Sequence, residues 1–352
     1  MKVVMFHPYV TEEMIDGVID TLKSRWIGQG PKVDLFEEMF AKKFGVQYPV
    51  SVNSGTAALS LAYHLADIQP GDEVISPVFT CSATNIALLH QGAKIVWADI
   101  DPDTLNPSKL DIEQKITSKT KAIVNVHLSG NLNDLGKMPV PVIGDSCQAH
   151  LPPLPHEDYV CYSFQAIKHL TTGDGGMLVV NNEDDYQRAK KLRWFGIDRE
   201  AKQAANWQVY KGRSITTDFD EAGWKYQMTD IAAALGIGAL KSYNHIMEHH
   251  YKIAQIYYEG LRENSNVAII GGTWGFPILV KDRDSFAKML LSHGVETNVV
   301  QVRNDILSVF GGKRQDLPMM DLVEDDYIYL PLHMFVSEED AYNICQLIRG
   351  GW

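Results

Sequence analysis

The sequence predicts an α/β fold, in which a mostly parallel β-sheet is covered by helices on both faces, followed by a smaller α+β region. In the first two thirds of the chain, helical segments alternate with short runs rich in apolar and β-branched residues. Strands that alternate with helices form parallel sheets, and strands buried on both faces are continuously apolar. A length of 352 residues is enough for one large and one small domain.

The predicted strands of the large domain follow one another at short intervals. After the strand-like residues 50–52, the candidates are residues 73–76, 94–97, 122–126, 140–143, 159–164 and 176–180. Apolar residues at helical spacing predict helices at residues 14–22, 33–44, 56–66 and 83–90.

The pattern restarts after an Ala-rich apolar stretch at residues 228–240, which is expected to open a long helix that ends near residue 261. We therefore place the large domain at residues 1–240 and a small α+β domain at residues 241–352. Within the small domain, the sequence predicts strands at residues 267–270, 275–280 and 295–299, and helices at residues 285–292 and 338–349.

The composition argues against several classes of function. A net charge of -12 disfavours nonspecific nucleic-acid binding, and no apolar stretch has the roughly 18 residues of a membrane span. The cysteines form no CxxC pair and have no metal-ligand spacing, so we expect reduced thiols and no metal site. The N-terminal apolar run is too short for a signal peptide, and the expected location is cytoplasmic. The four cysteines are Cys81, Cys147, Cys161 and Cys345.

Lys168 is the most informative residue of the chain because of its surroundings. Ser163 ends an apolar strand shortly before it, and the cluster at residues 173–176 allows a tight turn against a ligand. The lysine follows the apolar pair Ala166 and Ile167, so it is expected to be partly desolvated, which lowers its pKa and makes it nucleophilic. A lysine on a surface loop is the alternative interpretation.

Asp145 lies upstream of Lys168, at the end of a buried-type strand. In open α/β sheets, ligands bind beyond the carboxyl ends of the strands. An aspartate there can keep a pyridine nitrogen protonated. Together with a lysine that forms a Schiff base and a serine that binds phosphate, it supplies the groups that pyridoxal phosphate (PLP) requires. Helix capping alone is the alternative role for Asp145.

Two further segments are candidates for cofactor contact. The turn at residues 53–56 follows a strand and opens a helix, so its free amides can bind a phosphate that Gly55 allows to approach. A plain N-cap at Ser54 or Thr56 is the alternative. Phe79 follows a strand as well and could stack on a cofactor ring, although the sequence alone favours a core position.

Together these segments resemble the sugar aminotransferases of the DegT/DnrJ/EryC1/StrS family, which have the PLP-dependent transferase fold type I. The resemblance implies a large domain with a seven-stranded sheet, PLP as the cofactor, and a homodimer with shared active sites. It covers nearly the whole chain, with matching pieces in order at residues 26–31, 53–59, 71–74, 99–101, 145–150, 163–176, 223–235 and 330–333.

The resemblance also implies roles for individual residues. Lys168 matches the lysine that forms the Schiff base, Asp145 the partner of the pyridinium nitrogen and Ser163 a phosphate ligand. The remaining matches are Ser54, Gly55 and Thr56 in the phosphate-binding turn and Gln148 near the 3-hydroxyl of the cofactor.

The chain departs from the family pattern at three positions. Members usually carry an aromatic residue directly after the threonine of residues 77–80, where it stacks on the cofactor ring. Here that residue is Cys81, so Phe79 or Cys81 itself would have to provide the contact. Lys225 replaces an asparagine that reaches the phosphate of the partner subunit's cofactor, and it could attract that phosphate as a cation. Gln227 replaces an arginine that could meet a carboxylate.

Another cation must then recognise the carboxylate of the amino donor. Arg193 and Arg303 are the candidates, and an ordinary ion pair is the alternative for both. Candidate acceptor contacts are Trp26 and Gly28, the loop at residues 194–200, and His333 in the last matching piece. The resemblance implies amino transfer from L-glutamate to a nucleotide-linked keto-sugar, most often a 4-keto-6-deoxyhexose, which gives a 4-amino-4,6-dideoxyhexose.

The same residues bear on three other functions. A PLP-dependent sugar 3-dehydratase of the same fold would carry a histidine in place of Lys168, so it is disfavoured. A 3-keto-sugar or a keto-inositol as the acceptor is compatible with the sequence. A PLP-binding regulatory protein without turnover is the third alternative, because Cys81 and Gln227 depart from the family pattern.

Overall fold

A computed structural model describes residues 2–204 and 220–352, apart from the side chains of residues 202–204. Its main sheet has seven strands: β1 (Tyr48–Val52), β2 (Glu73–Pro77), β3 (Lys94–Ala98), β4 (Thr120–Val126), β5 (Val142–Asp145), β6 (Tyr159–Ser163) and β7 (Gly176–Val180). They lie in the order β1-β7-β6-β5-β4-β2-β3. Strand β7 is antiparallel to both neighbours, and all other pairs are parallel, which confirms the predicted sheet.

Helices cover both faces of this sheet and surround the small domain. Among them, α5, α6, α7 and α10 are short or strongly polar and were not predicted from apolar spacing. The helices are α1 (Glu12–Lys23), α2 (Pro31–Phe44), α3 (Gly55–Leu65), α4 (Ser82–His90), α5 (Lys109–Lys115), α6 (Glu183–Leu192), α7 (Arg199–Ala204), α8 (Asp230–Leu261), α9 (Arg283–Ser292), α10 (Pro318–Val323) and α11 (Glu338–Arg349).

Strand β7 shows how the sheet is buried on both faces. Leu178 and Val180 pack into the core that contains α3, whereas Met177 and Val179 pack into the core that contains α2 and the first half of α8. Successive side chains of a strand point to opposite faces, so a strand covered on both faces must be apolar at every position.

The small domain has a second, antiparallel sheet of β8 (Val267–Ile269), β9 (Phe276–Val280) and β10 (Tyr327–Leu330), in the order β10-β9-β8. The prediction of a strand at residues 295–299 is wrong. That segment forms only isolated bridges, Val295 with Val3 and Asn298 with Tyr329. Asn298 thus lies on the side of β10 that faces away from β9.

Helix α8 links the two domains. Its residues up to Met247 pack into the core of the large domain, and those from Ile253 onward pack into the core of the small domain. The predicted boundary at residue 240 therefore lies within a continuous helix, and it stays a prediction. Over residues 2–204 and 220–352, no helix combines the length and the apolar character that crossing a bilayer requires.

Candidate active site

The carboxyl ends of the strands bring several of the predicted residues together. Asp145 ends β5, Ser163 ends β6, and Gly55 opens α3 just after β1. A Cβ atom added to Gly55 would lie 2.8 Å from Cβ of Ser163 and 2.9 Å from Sγ of Cys147. These segments therefore meet at the edge of the sheet where ligands of open α/β proteins bind.

The start of α3 has the geometry of an anion-binding site. Oγ of Ser54 caps the helix by accepting a hydrogen bond of 3.1 Å from the amide of Ala57. The amides of Gly55 and Thr56 belong to the first turn, where a helix provides no acceptor for them. The Ser163 side chain packs directly against Gly55. A phosphate here would meet free amides, a helix N-terminus and a neighbouring hydroxyl.

The Asp145 carboxylate is buried and held by two hydrogen bonds. Oδ2 accepts from Oγ1 of Thr84 at 2.7 Å, and Oδ1 accepts from the amide of Cys147 at 3.1 Å. Among the residues that the structure describes, no cation forms a salt bridge with it. A buried carboxylate without a cation is costly, so this site favours a positively charged group of a ligand.

Lys168 lies in the turn that follows β6, where its amide donates to the carbonyl of Gln165 at 2.9 Å. Burial lowers the pKa of its side chain, and this effect outweighs the opposing influence of Cys147, Cys81 and Asp145. Its Nζ atom lies 4.1 Å from the centroid of the Trp274 indole. The amine is thus held near the Asp145 end of the sheet and is easier to deprotonate than a lysine in water.

Gln148 lies beside the same strand end. Its Oε1 atom accepts a hydrogen bond of 2.8 Å from the amide of Ser129, which has a left-handed backbone with φ of 57°. The hydroxyl of Ser129 in turn donates to the Tyr329 hydroxyl of β10 at 3.0 Å. The amide group of Gln148 is therefore oriented by contacts that reach into the small domain.

Phe79 lies in the core, which is the position that the sequence alone favoured. Its ring is completely buried and packs edge-on against Tyr327, with 4.7 Å between the centroids. The backbone of Phe79 also forms an antiparallel bridge with Arg303. Cys81, in contrast, is exposed at the start of α4 and is one of the groups that influence the pKa of Lys168. Cys81 stays the candidate for the place of the aromatic residue.

The contacts of Arg303 argue against its predicted substrate role, which stays a prediction. The side chain is fully buried, and all five of its N–H groups donate to acceptors of its own chain. Nε and one terminal nitrogen form a paired contact with Asp305, and the other terminal nitrogen bonds Asp321 and Glu324. The fifth N–H donates to the carbonyl of Gln315 at 3.1 Å. No donor is left for a substrate carboxylate.

Arg193 and His333 are engaged by their own chain as well. Arg193 is buried, forms a salt bridge with Glu37, and donates to the carbonyl of Ser51 in β1 at 2.9 Å. His333 donates from Nε2 to the carbonyl of Val4 at 3.0 Å and accepts at Nδ1 from the amide of Phe335 at 3.2 Å. These contacts account for both residues as structural groups.

The remaining candidates lie on exposed segments. Lys225 is exposed, and its carbonyl accepts from Nδ2 of Asn53 at 3.1 Å, which places its backbone beside the turn that opens α3. Trp26 is partly exposed. Gly28 is exposed, and its carbonyl accepts from the amide of Asp230 at 2.7 Å, which ties this loop to the start of α8. Their predicted roles stay predictions.

Two residues of the site were not predicted. Thr84 orients Asp145, and its place in the first turn of α4 was the available signal. Trp274 lies under Lys168 and comes from a glycine-rich turn at residues 271–275 of the other domain. No local pattern connects that turn to the lysine.

This arrangement defines the class of PLP-dependent transferases of fold type I, because that cofactor needs an amine, a carboxylate and an anion site within reach of one ring. The model of the DegT/DnrJ/EryC1/StrS aminotransferase family matches residues 8–349. The chain belongs to this family of PLP-dependent sugar aminotransferases, as the sequence predicted.

Individual relatives agree with this assignment. The structure of the sugar aminotransferase CalS13 from Micromonospora echinospora is similar with a TM-score of 0.91 and 31% identity, over 99% of both chains. GDP-perosamine synthase of Escherichia coli O157:H7 is 30% identical over 98% of this chain and 97% of its own. The UDP-4-amino-4-deoxy-L-arabinose–oxoglutarate aminotransferase of Shewanella sediminis is 33% identical over 71% of this chain and 66% of its own.

Proposed function

We propose that this enzyme moves an amino group from L-glutamate to a nucleotide-linked keto-sugar. The observation that carries the proposal is the meeting of Lys168, Asp145 and the start of α3 at one edge of the sheet. Two relatives are named for nucleotide sugars, and one of these is also named for oxoglutarate, the keto acid that corresponds to glutamate. That name also places the amino group on carbon 4 of a pentose, which supports amination at carbon 4. Within this proposal, the acceptor is a 4-keto-6-deoxyhexose and the product a 4-amino-4,6-dideoxyhexose, as the family resemblance implies.

The described residues fit PLP. The free amides at Gly55 and Thr56 and the Ser163 hydroxyl would bind its phosphate, because a helix start with an open glycine suits an anion. Asp145 would pair with the protonated ring nitrogen, and this nitrogen would supply the positive charge that the buried carboxylate otherwise lacks. Lys168 would hold the cofactor covalently through Nζ. Further contacts are expected from Ser54 at the phosphate turn, Gln148 near the 3-hydroxyl and Cys81 on the ring face.

When bound, PLP supplies an electron sink for the bonds of the substrate's amino carbon. Lys168, once the donor has displaced it, would take a proton from that carbon and return it on the cofactor side. Its pKa is lowered by burial, so the neutral amine that accepts this proton forms more readily than it does for a lysine in water. The Asp145 carboxylate would balance the positive ring nitrogen, and the bond from Thr84 fixes its direction.

We also infer that the sites are shared across a homodimer, with Lys225 reaching the phosphate bound by its partner. Lys225 is exposed. Helix α1, which packs against α8, carries the exposed apolar residues Ile15, Ile19 and Leu22, which a second copy of the chain could cover. Mixed dimers of a Lys168→Ala chain and a Lys225→Ala chain test this inference. If sites are shared, each mixed dimer regains one site with both lysines, and activity returns to about half that of the wild type. If no activity returns, the two lysines act within one chain.

The half-reaction with glutamate tests the proposed function directly. The protein is purified with PLP, and its visible absorbance is recorded before and after addition of L-glutamate. We expect a visible band that glutamate removes, and no such band in Lys168→Ala. Lys137→Ala, which removes an exposed loop lysine, is the matched control and should behave as the wild type. A band that no amino donor removes would favour the regulatory protein, and the absence of any band would refute the role of Lys168.

The acceptor is tested separately with the amino form of the enzyme. Nucleotide-linked 4-keto-6-deoxyhexoses, 3-keto-sugars and a keto-inositol are added in turn, and return of the visible band is followed. The proposal expects the fastest return with a 4-keto-6-deoxyhexose. A faster return with either other class would replace that acceptor while leaving the aminotransferase reaction in place.

A further inference from the structure

The contact between Lys168 and Trp274 joins the two domains at the reacting amine. Trp274 lies in the turn between β8 and β9, and only 2% of its surface is exposed. Nζ of Lys168 lies 4.1 Å from the centroid of its indole. Within residues 2–204 and 220–352, Nζ forms no hydrogen bond and no salt bridge, so the indole face is its closest stabilising contact.

The indole is held firmly in this place. Its Nε1 atom donates to the carbonyl of Ile167 at 2.9 Å, directly beside the lysine. The backbone amide of Trp274 donates to the carbonyl of Ser129 at 3.0 Å, and Phe6 stacks on the ring with 5.3 Å between centroids. Three separate segments of the chain thus fix the ring relative to Lys168.

Two neutral histidines hold the backbone of Thr273, the residue that precedes Trp274. The carbonyl of Thr273 accepts a hydrogen bond of 2.9 Å from Nε2 of His169 and one of 2.6 Å from Nδ1 of His250. Burial lowers the pKa of both imidazoles, that of His250 to about 4. Both rings are therefore neutral near pH 7, and they add no positive charge beside the ammonium of Lys168.

We propose that Trp274 is a positioning residue for Lys168, whose indole face holds the ammonium whenever the lysine is not joined to the cofactor. The inference rests on the proposed function, since it assumes that Lys168 is released and recaptured in each cycle. Without a holding contact, a flexible lysine side chain would sample many rotamers after release. Over the indole it stays beside Asp145, Cys147 and Cys81, the other ionisable groups that act on it.

An aromatic face suits this task better than a carboxylate would. A cation–π contact stabilises an ammonium, and it does so more strongly when the pair is buried. A carboxylate in hydrogen-bond contact would form a buried ion pair that is costly to break, and it would keep the amine protonated. The indole therefore holds Lys168 while leaving its proton available for transfer.

Fluorinated tryptophans test the contact without changing its shape. Fluorine withdraws electron density from the ring face. Incorporation of tryptophans that carry one, two or three fluorine atoms therefore weakens the cation–π contact in steps, relative to ordinary tryptophan. The pKa of Lys168 is measured in the full-length, cofactor-free protein by trace acetylation with acetic anhydride across a pH series, with the Lys168 peptide quantified by mass spectrometry. We expect this pKa to fall with each fluorine, by about one unit in total.

Two variants distinguish the effect of fluorine on Trp274 from its effect on the other six tryptophans of the chain. In Trp274→Phe the fluorine series should have no effect on Lys168. In Trp352→Phe, which removes an indole that packs on Phe286 in the small domain, the full effect should remain. A flat series with Trp274 present, or equal slopes with and without Trp274, would overturn the inference. Acetylation needs no cofactor, so the pKa of Lys168 can be measured whether or not PLP binds. Failure of PLP to bind Lys168 would therefore refute the proposed function without affecting the test of the Trp274 contact.

Discussion

Thr84 donates its hydroxyl hydrogen to Oδ2 of Asp145 over 2.7 Å, so helix α4 orients the carboxylate at the end of β5. Both side chains are buried, and the hydroxyl of Thr80 lies 3.0 Å from that of Thr84. This short chain of hydroxyl groups holds Oδ2, while the amide of Cys147 holds Oδ1, so the carboxylate has one fixed orientation at the ligand site.

The first prediction concerns this bond. Thr84→Val keeps the shape of the side chain but removes the donor, and a hydrogen bond to a charged group contributes about 1.5 to 3 kcal/mol. We expect the rate of the glutamate half-reaction to fall by about tenfold or more, measured by stopped-flow absorbance. Thr84→Ser keeps the hydroxyl and should retain most of the rate. Equal rates for the valine and serine variants would contradict the role of this bond.

The second prediction concerns the phosphate turn. Gly55→Ala would bring a Cβ atom to 2.8 Å from Cβ of Ser163 and 2.9 Å from Sγ of Cys147, closer than such contacts allow. We expect PLP affinity to fall by about tenfold or more through displacement of the turn, as measured by equilibrium dialysis. The control is Gly17→Ala in α1, whose Cβ would lie at an ordinary 3.5 Å from Ala234. It should leave PLP affinity unchanged.

The third prediction separates structure from substrate binding at Arg303. Arg303→Lys leaves the buried Asp305 without its paired contact, and breaking a buried ion pair costs about 3 to 5 kcal/mol of the free energy of unfolding. Urea denaturation measures this loss. Arg314→Lys, in the exposed part of the same network, should change stability little. Well below the unfolding transition, KM for glutamate should stay unchanged in both variants; a large rise for Arg303→Lys alone would restore its substrate role.

The fourth prediction concerns acid stability. The pKa of His250 is about 4 in the folded protein, because of burial, and about 6.5 in an unfolded chain. Between these values the unfolded chain binds more protons, so the free energy of unfolding falls as the pH falls from about 6.5 toward 4. The contribution of one such histidine is about 1.4 kcal/mol per pH unit, and it is fully present above pH 6.5.

His250→Asn tests this contribution, because the asparagine amide can still donate to the carbonyl of Thr273 but does not titrate. We expect the fall in stability between pH 6.5 and 4 to become shallower by about one proton, measured by denaturant unfolding at several pH values. His169 remains as a second buried imidazole, so part of the dependence of the free energy of unfolding on pH should persist. An unchanged slope in His250→Asn would show that other groups dominate acid unfolding.

Much of the site was predictable because its residues follow strands. Asp145 and Ser163 end adjacent parallel strands, and such ends lie at one edge of a sheet by geometry alone. Gly55 follows β1 and opens α3, so its proximity could be expected too. The small domain was less predictable. Residues 295–299 have the apolar character of a strand, yet they form only isolated bridges, one of them from Asn298 to Tyr329 of β10. Local propensity does not determine whether an apolar segment forms a regular ladder with its neighbour.

By itself, the sequence determined the class of sheet, the family and the order of the segments that carry Lys168, Asp145 and the phosphate turn, because these depend on local periodicity and on motifs at strand ends. Only the tertiary structure decided that all N–H groups of Arg303 bond acceptors of its own chain. It also decided that Trp274 lies under the lysine, beside Ile167 although 107 residues from it in sequence. Contacts of that kind depend on how two domains pack, and packing is set by side-chain volumes from distant parts of the chain.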